Sequence, residues 1–229
     1  MERQLKLVEE SYDKTIKLGK KGVNLYDKLP EYILNDPDYH TYQKCITKGN
    51  ESTEIIDYLS PKRGMNFIDL GCCLNLMFRG YDKWPSTYHG IDISRKTILL
   101  LQDFIIKNQL SIGSLHCRSI HKTPFEDNSF DIGACIGVLE YFEKDFVSMA
   151  IAEIHRIIKP YGKLVLDIPK IGSPECRIMM LIEEYMGRPD TFNLSPFEFE
   201  EILQNYFVID KTEKFKTDPM IRYFLSCKK

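Results

Sequence analysis

From residue 64 onward the chain alternates short apolar runs with amphipathic stretches. Met65 to Leu70 is apolar and stops at Gly71, the pattern of a buried strand ending in a tight turn. A second run spans Tyr88 to Ile93, and Ser94 then caps a predicted helix through about Asn108, with Ile98, Leu101 and Ile105 three to four residues apart. Further strands are predicted at Ser114 to Ser119 and Phe130 to Gly137. Val147, Ala150, Ile151, Ile154, Ile157 and Ile158 mark one face of the next helix, which Lys159-Pro160-Tyr161-Gly162 closes. A fifth strand is predicted at Lys163 to Ile168. Ser195-Pro196 opens a last helix through Tyr206, and Phe207 to Phe215 and Ile221 to Lys228 supply two final strands. Alternating strands and helices predict an α/β fold, a doubly wound and mostly parallel seven-stranded sheet whose ligands bind at the carboxyl ends of its strands.

The first sixty residues have another texture, polar and tyrosine-rich with a Leu29-Pro30 break. Ile16, Gly19 and Val23 are too sparse for an independent helix face, so short helices packed on a larger body are expected. The division expected is a helical cap at 1–60 and a ligand-binding domain at 61–229, with a lid insertion at about 170–195.

Composition narrows the class. Of 229 residues, 31 are Lys or Arg and 33 Asp or Glu, a formal charge of -2. A constitutive nucleic-acid binder carries a basic surplus, which is missing. Seven cysteines without a C-x-x-C pair read as reduced thiols in a cytoplasmic protein. The longest apolar run, Ile132 to Leu139, is far short of a membrane span. No metal site is expected.

The chemistry concentrates where strands end. Asp69-Leu70-Gly71-Cys72-Cys73-Leu74-Asn75 is followed, 23 residues after Asp69, by Asp92 in Gly90-Ile91-Asp92-Ile93-Ser94. A glycine turn admits a ligand to the backbone, and an acid at the tip of the second strand accepts from ribose hydroxyls. The turn is not G-x-G-x-x-G and has no phosphate-binding Lys, which counts against a nicotinamide dinucleotide or a nucleoside triphosphate.

With Pro124-Phe125-Glu126-Asp127-Asn128-Ser129-Phe130-Asp131 and Glu153 to Gly162, these segments make the chain resemble the class I S-adenosylmethionine-dependent methyltransferases, the ubiquinone- and menaquinone-biosynthesis branch in particular. The resemblance covers about residues 64 to 168. It implies a Rossmann-like methyltransferase fold and S-adenosyl-L-methionine as cofactor. It also implies a cofactor site at Asp69, Gly71, Cys72, Cys73, Asp92, Ile93, Ser119, Ile120 and Gly137. Two positions depart from the family pattern, Cys73 and Asn75 standing where further glycines are usual, and Ser119 replaces an acid that often meets adenine.

Glu140 and Tyr141, after the fourth strand, are the candidate catalytic or polar substrate contacts, with Tyr12, Tyr26 and Tyr141 as candidate substrate-binding aromatics. A small-molecule acceptor with an N, O or S nucleophile is expected, in a monomer or homodimer. The alternative is a methyltransferase-like protein without catalysis that binds S-adenosyl ligands or a protein partner. Of the histidines, His155 is expected in solvent, His89 ahead of the second strand, and His121 near the ligand edge.

Overall fold

The computed structural model describes residues 1–46, 53–214 and 218–229. Seven strands form one sheet: β1 Asn66–Leu70, β2 Thr87–Asp92, β3 Ser114–Cys117, β4 Phe130–Cys135, β5 Ile158–Pro169, β6 Phe207–Glu213 and β7 Met220–Cys227. The helices of the described residues are α1 Glu2–Gly19, α2 Glu31–Leu34, α3 Tyr39–Ile46, α4 Thr53–Leu59, α5 Asn75–Phe78, α6 Arg95–Lys107, α7 Lys144–Ile157, α8 Pro174–Tyr185 and α9 Pro196–Gln204. The strand order is β3-β2-β1-β4-β5-β7-β6, parallel except at β7, which runs antiparallel to β5 and β6. The chain winds outward from β1 to β3, then crosses back to β4, so the order reverses between β1 and β4. Asp69 pairs with Gly90 on one side and Ala134 on the other.

Side chains alternate across the strands and build two apolar layers. Ile68, Leu70, Leu164 and Leu166 meet Val147, Ala150, Ile151, Ile154 and Ile157 of α7 on one face. Phe67, Ile132, Val165 and Phe224 meet Ile55 and Leu59 of α4 and Ile98 and Leu101 of α6 on the other. The Ser94 hydroxyl caps α6 by accepting from Thr97 N (3.1 Å). Ser195 and Glu198 close a reciprocal capping box at the start of α9. A smaller cluster joins Leu29, Ile33 and Tyr42 to Ile178, Ile182 and Met186 of α8, seating α2 and α3 on the segment after β5.

Three expectations need correction. The amino terminus begins with one 18-residue helix rather than short pieces, because Leu5, Val8 and Tyr12 recur at helical spacing and find the first apolar layer. No separate loop divides α7 from β5. Ile158 already pairs with Phe130, Tyr161 takes the turn at φ 64°, and the ladder resumes at Lys163 opposite Ile132. The last strands end earlier than the apolar run suggests, and Phe215, expected in the sixth, lies outside the described residues. Among the described residues no helix is long and apolar enough to cross a membrane.

The α7 face is the most demanding packing surface. Ile154→Ala, at a fully buried position, is expected to cost about 2–5 kcal/mol, whereas Met149→Ala on the exposed side should cost under about 0.5 kcal/mol. Urea unfolding of the two variants measures the difference.

Candidate active site

At the end of β1 the chain turns through Gly71, with φ 70°. A side chain there would start 2.4 Å from Val138 Cγ2, so both space and backbone require glycine. The Ile91 carbonyl of β2 accepts from the N–H groups of Gly71 and Cys72 (2.8 and 2.9 Å), which stitches the turn to the neighbouring strand. Cys73 follows at φ 39°, a left-handed conformation unusual for a side-chain-bearing residue. Asp92 holds it there: Oδ2 accepts from Cys73 N (2.9 Å) and Oδ1 from Ser94 N (2.8 Å). Cysteine therefore keeps the backbone shape that a glycine would take. Burial, with the Asp92 charge adding, pushes its thiol up to about 12, so it stays protonated.

Asp92 is 7 % exposed. Burial pushes its carboxyl up to about 6, against the pull of its backbone hydrogen bonds. A carboxylate offers about four acceptor positions and two are used here, leaving capacity for further donors. Asp92 borders a cavity of about 220 Å³ at the switch point, together with Gly71, Cys73, Asn75 and Ile93. Ser119 and Ile120 line its far end, Gly137 and Val138 its other wall, and Leu5, Val8 and Tyr12 of α1 its roof. The Ser119 hydroxyl lies 2.7 Å from His121 Nδ1. Burial pushes the His121 pKa down, and a neutral ring that accepts from Ser119 leaves the serine oxygen to accept in turn.

Seven of the nine residues singled out for the cofactor line this cavity. Asp69 and Cys72 do not: both are fully buried beneath the turn. Asp69 accepts from Tyr88 Oη (3.0 Å) and Asn75 Nδ2 (3.2 Å), and burial pushes its carboxyl up to about 7. Asn75 in turn accepts from Arg79 Nε (3.0 Å), so the residue at this departure links the acid to a guanidinium.

The carboxyl end of β4 carries the polar cluster. The short helical turn Leu139–Tyr141 buries Glu140 and Tyr141. Tyr141 Oη meets Tyr12 Oη (3.1 Å) and donates to Glu183 Oε2 (3.1 Å). Glu183 also pairs with the buried Arg188, whose guanidinium lies 4.4 Å from the Tyr12 ring centroid. Tyr26 sits at the rim, 43 % exposed, and does not line the cavity. Glu183, Arg188, Phe142 and Phe146 were not legible in the sequence as site residues, because nothing local distinguishes them from core or solvated positions. Leu5 and Val8 were legible in principle, by their helical spacing with Tyr12, which the sequence singles out and which lines the cavity.

Two histidines lie elsewhere than expected. His155 is half-buried, its ring 5.2 Å from Tyr206 and 5.7 Å from Phe207. His89 lies within β2 and meets Ser114 Oγ through Nδ1 (2.9 Å). Six of the cysteines are free thiols, and the described residues hold no cluster of His, Cys, Asp or Glu able to bind a metal ion.

Residues 68–166 match a protein family described as a methyltransferase domain. The chain is 32% identical over 153 residues to an uncharacterized protein of Methanocaldococcus jannaschii, covering 63% of this chain and 59% of that one. An uncharacterized methyltransferase of Schizosaccharomyces pombe is 25% identical over 142 residues, 58% of this chain and 48% of the relative. This chain thus spans roughly half to three-fifths of the curated relatives it matches. Among solved structures it is similar to geranyl diphosphate C-methyltransferase from Streptomyces coelicolor, crystallised with Mg2+, geranyl-S-thiolodiphosphate and S-adenosyl-L-homocysteine. There the TM-score is 0.61 at 13% identity, covering 76% of this chain and 73% of that one. The sheet and its flanking helices are the Rossmann-like methyltransferase fold.

The roof over the cavity is pinned by Asp13, which accepts from Ser94 Oγ (2.7 Å) and Lys96 Nζ (2.5 Å). Asp13→Ala should speed hydrogen exchange of the α1 amides by about tenfold, the loss of one charge-assisted contact, and leave α7 unchanged. The raised carboxyls set a pH trend. Burial and the Glu183 charge push Asp190 up to about 7, so between about pH 4 and pH 7 the folded chain holds a proton that the unfolded chain has released. Stability falls as pH rises through that window. Asp190→Asn should remove this share, so that thermal melting of the variant gains on the wild type as pH rises from about 5 to about 8.

Proposed function

We propose that this chain, whose residues 68–166 match a methyltransferase domain family, transfers a methyl group from S-adenosylmethionine to a small-molecule acceptor. The carrying observation is Asp92, a buried carboxylate at the tip of β2 that borders the switch-point cavity with acceptor capacity to spare. The cavity fits the cofactor. Asp92 would accept from the ribose hydroxyls, Ser119 and Ile120 would flank the adenine, and the Gly71–Cys73 turn and Gly137 would hold the amino-acid portion. Asp69 and Cys72 support that turn from below.

S-adenosylmethionine, when bound, supplies an electrophilic methyl group on a positively charged sulfur. The protein's part is alignment of the acceptor in line with it and exclusion of water. Tyr12, Tyr141, Phe142 and Phe146 form the aromatic wall that does so, and α1 closes over them. Glu140 and Tyr141 are the polar groups nearest the acceptor. The enclosed wall favours a small molecule, and the free thiols a cytoplasmic setting.

Calorimetric titration with S-adenosylhomocysteine tests this reading. Binding is expected for the wild type, and Asp92→Ala should weaken it by about a hundredfold, the loss of two charge-assisted hydrogen bonds. Absence of binding to the wild type overturns the cofactor assignment. Turnover against a metabolite pool separates an active enzyme from a binding protein.

A further inference from the structure

Tyr12 and Tyr141 both line the switch-point cavity, and their hydroxyl oxygens lie 3.1 Å apart. Either could donate to the other on distance alone, and the ion pair behind them decides which does. Glu183 Oε2 accepts from Arg188 Nε and from Tyr141 Oη (3.1 Å). Arg188 is fixed by a further contact to Glu183 Oε1 (3.4 Å) and by Nη1 on Ser11 Oγ (3.3 Å). A carboxylate only accepts, and a charged acceptor makes the stronger bond, so the single proton of Tyr141 goes to Glu183. Tyr141 Oη is then the acceptor toward Tyr12, and Tyr12 spends its own proton on Tyr141. Burial holds both phenols well above their ordinary range, so each keeps the proton that this order requires.

The Tyr12 oxygen is left with lone-pair capacity and no proton to give. Its ring is set edge-on to Tyr141 at 83° and carries the Arg188 guanidinium 4.4 Å from its centroid, so the oxygen is held in one place. A ligand group that meets it must bring a hydrogen. A nitrile, ether, carbonyl or carboxylate would set lone pair against lone pair. The cluster offers no net charge, because Arg188 and Glu183 form a buried ion pair. Val8, Phe142 and Phe146 of the same cavity are apolar, so a charged group there would lose its hydration without a counterion.

We infer that Tyr12 selects the methyl acceptor: its hydroxyl oxygen takes a hydrogen bond from an uncharged O–H or N–H of that molecule. Tyr141, Glu183 and Arg188 are positioning residues that set this polarity from behind. The inference rests on the reading of the cavity as an S-adenosylmethionine site.

The test uses the full chain saturated with S-adenosylhomocysteine and calorimetric titration of three probes built on one benzene ring. Phenol brings a donor, benzonitrile only an acceptor, and benzylamine an ammonium at neutral pH. Phenol should bind the wild type about tenfold more tightly than either of the others, the worth of one hydrogen bond made against one opposed. Tyr12→Phe should weaken phenol to the level of benzonitrile. Tyr141→Phe frees the Tyr12 proton for donation, so benzonitrile should gain until the two probes bind alike. A merely structural role for the tyrosines would weaken all probes together and leave their ratio unchanged. S-adenosylhomocysteine affinity, held within about threefold in both variants, checks the fold. Absence of phenol binding to the wild type up to about 20 mM overturns the proposal. So does equal or tighter binding of benzonitrile or benzylamine, or a preference for phenol that survives either substitution. If Tyr12→Phe instead weakens S-adenosylhomocysteine by about tenfold, the oxygen serves the cofactor's own amino group and the acceptor assignment fails. Failure of S-adenosylhomocysteine to bind the wild type is seen in the first titration and is a failure of the cofactor reading, distinct from these.

Discussion

The tip of β2 governs the turn after β1. One carbonyl, of Ile91, takes the N–H groups of Gly71 and Cys72, and one carboxylate, of Asp92, takes that of Cys73. These bonds fix three successive residues of the turn from a neighbouring strand rather than from within the loop. The constraint explains how cysteine occupies a left-handed position at φ 39°: the strain, of order 1–3 kcal/mol, is offset by a charge-assisted hydrogen bond and a buried pairing. It also explains why Asp92 is where it is. The same carboxylate that shapes the turn borders the cavity, so the turn's geometry and the acceptor capacity for a ligand come from one residue.

Around that anchor the chain buries more carboxyl groups than it neutralises. Burial raises Asp69, Asp92, Asp167 and Glu140 above the ordinary carboxyl range. Asp69 and Asp167 are answered by donors inside the protein: Asp69 by Tyr88 and Asn75, Asp167 by Gly137 N (2.8 Å). Asp92 is answered in part, and Glu140 and Asp190 hardly at all. The gradient runs from the supporting layer, where polarity is satisfied, to the cavity, where it is left open. Such a distribution costs folded-state stability at neutral pH.

The covering elements come from distant parts of the chain. α1 lies over the cavity, tied to α6 through Asp13 and to the segment after α8 through Ser11 Oγ on the Met186 carbonyl (2.7 Å). Arg188 then crosses beneath Tyr12 to reach Glu183. The first helix and the insertion between β5 and α9 therefore build one roof, although about 175 residues separate Ser11 from Met186 along the chain.

The strand–helix alternation, the glycine stop after Leu70 and the acid at the end of the second run determined the sheet and the region of the candidate site, because burial periodicity and turn chemistry are local properties that survive in one dimension. The pairing of Tyr12 with Tyr141, the commitment of Arg188 to Glu183, and the burial of Glu140 Oε2 without a partner among the described residues were decided only by the tertiary structure. Each depends on which groups arrive from elsewhere. Sequence spacing singled out Glu140 as polar and near the acceptor, but whether a buried carboxylate is satisfied is a property of its three-dimensional surroundings, where desolvation and the supply of hydrogen-bond donors are set.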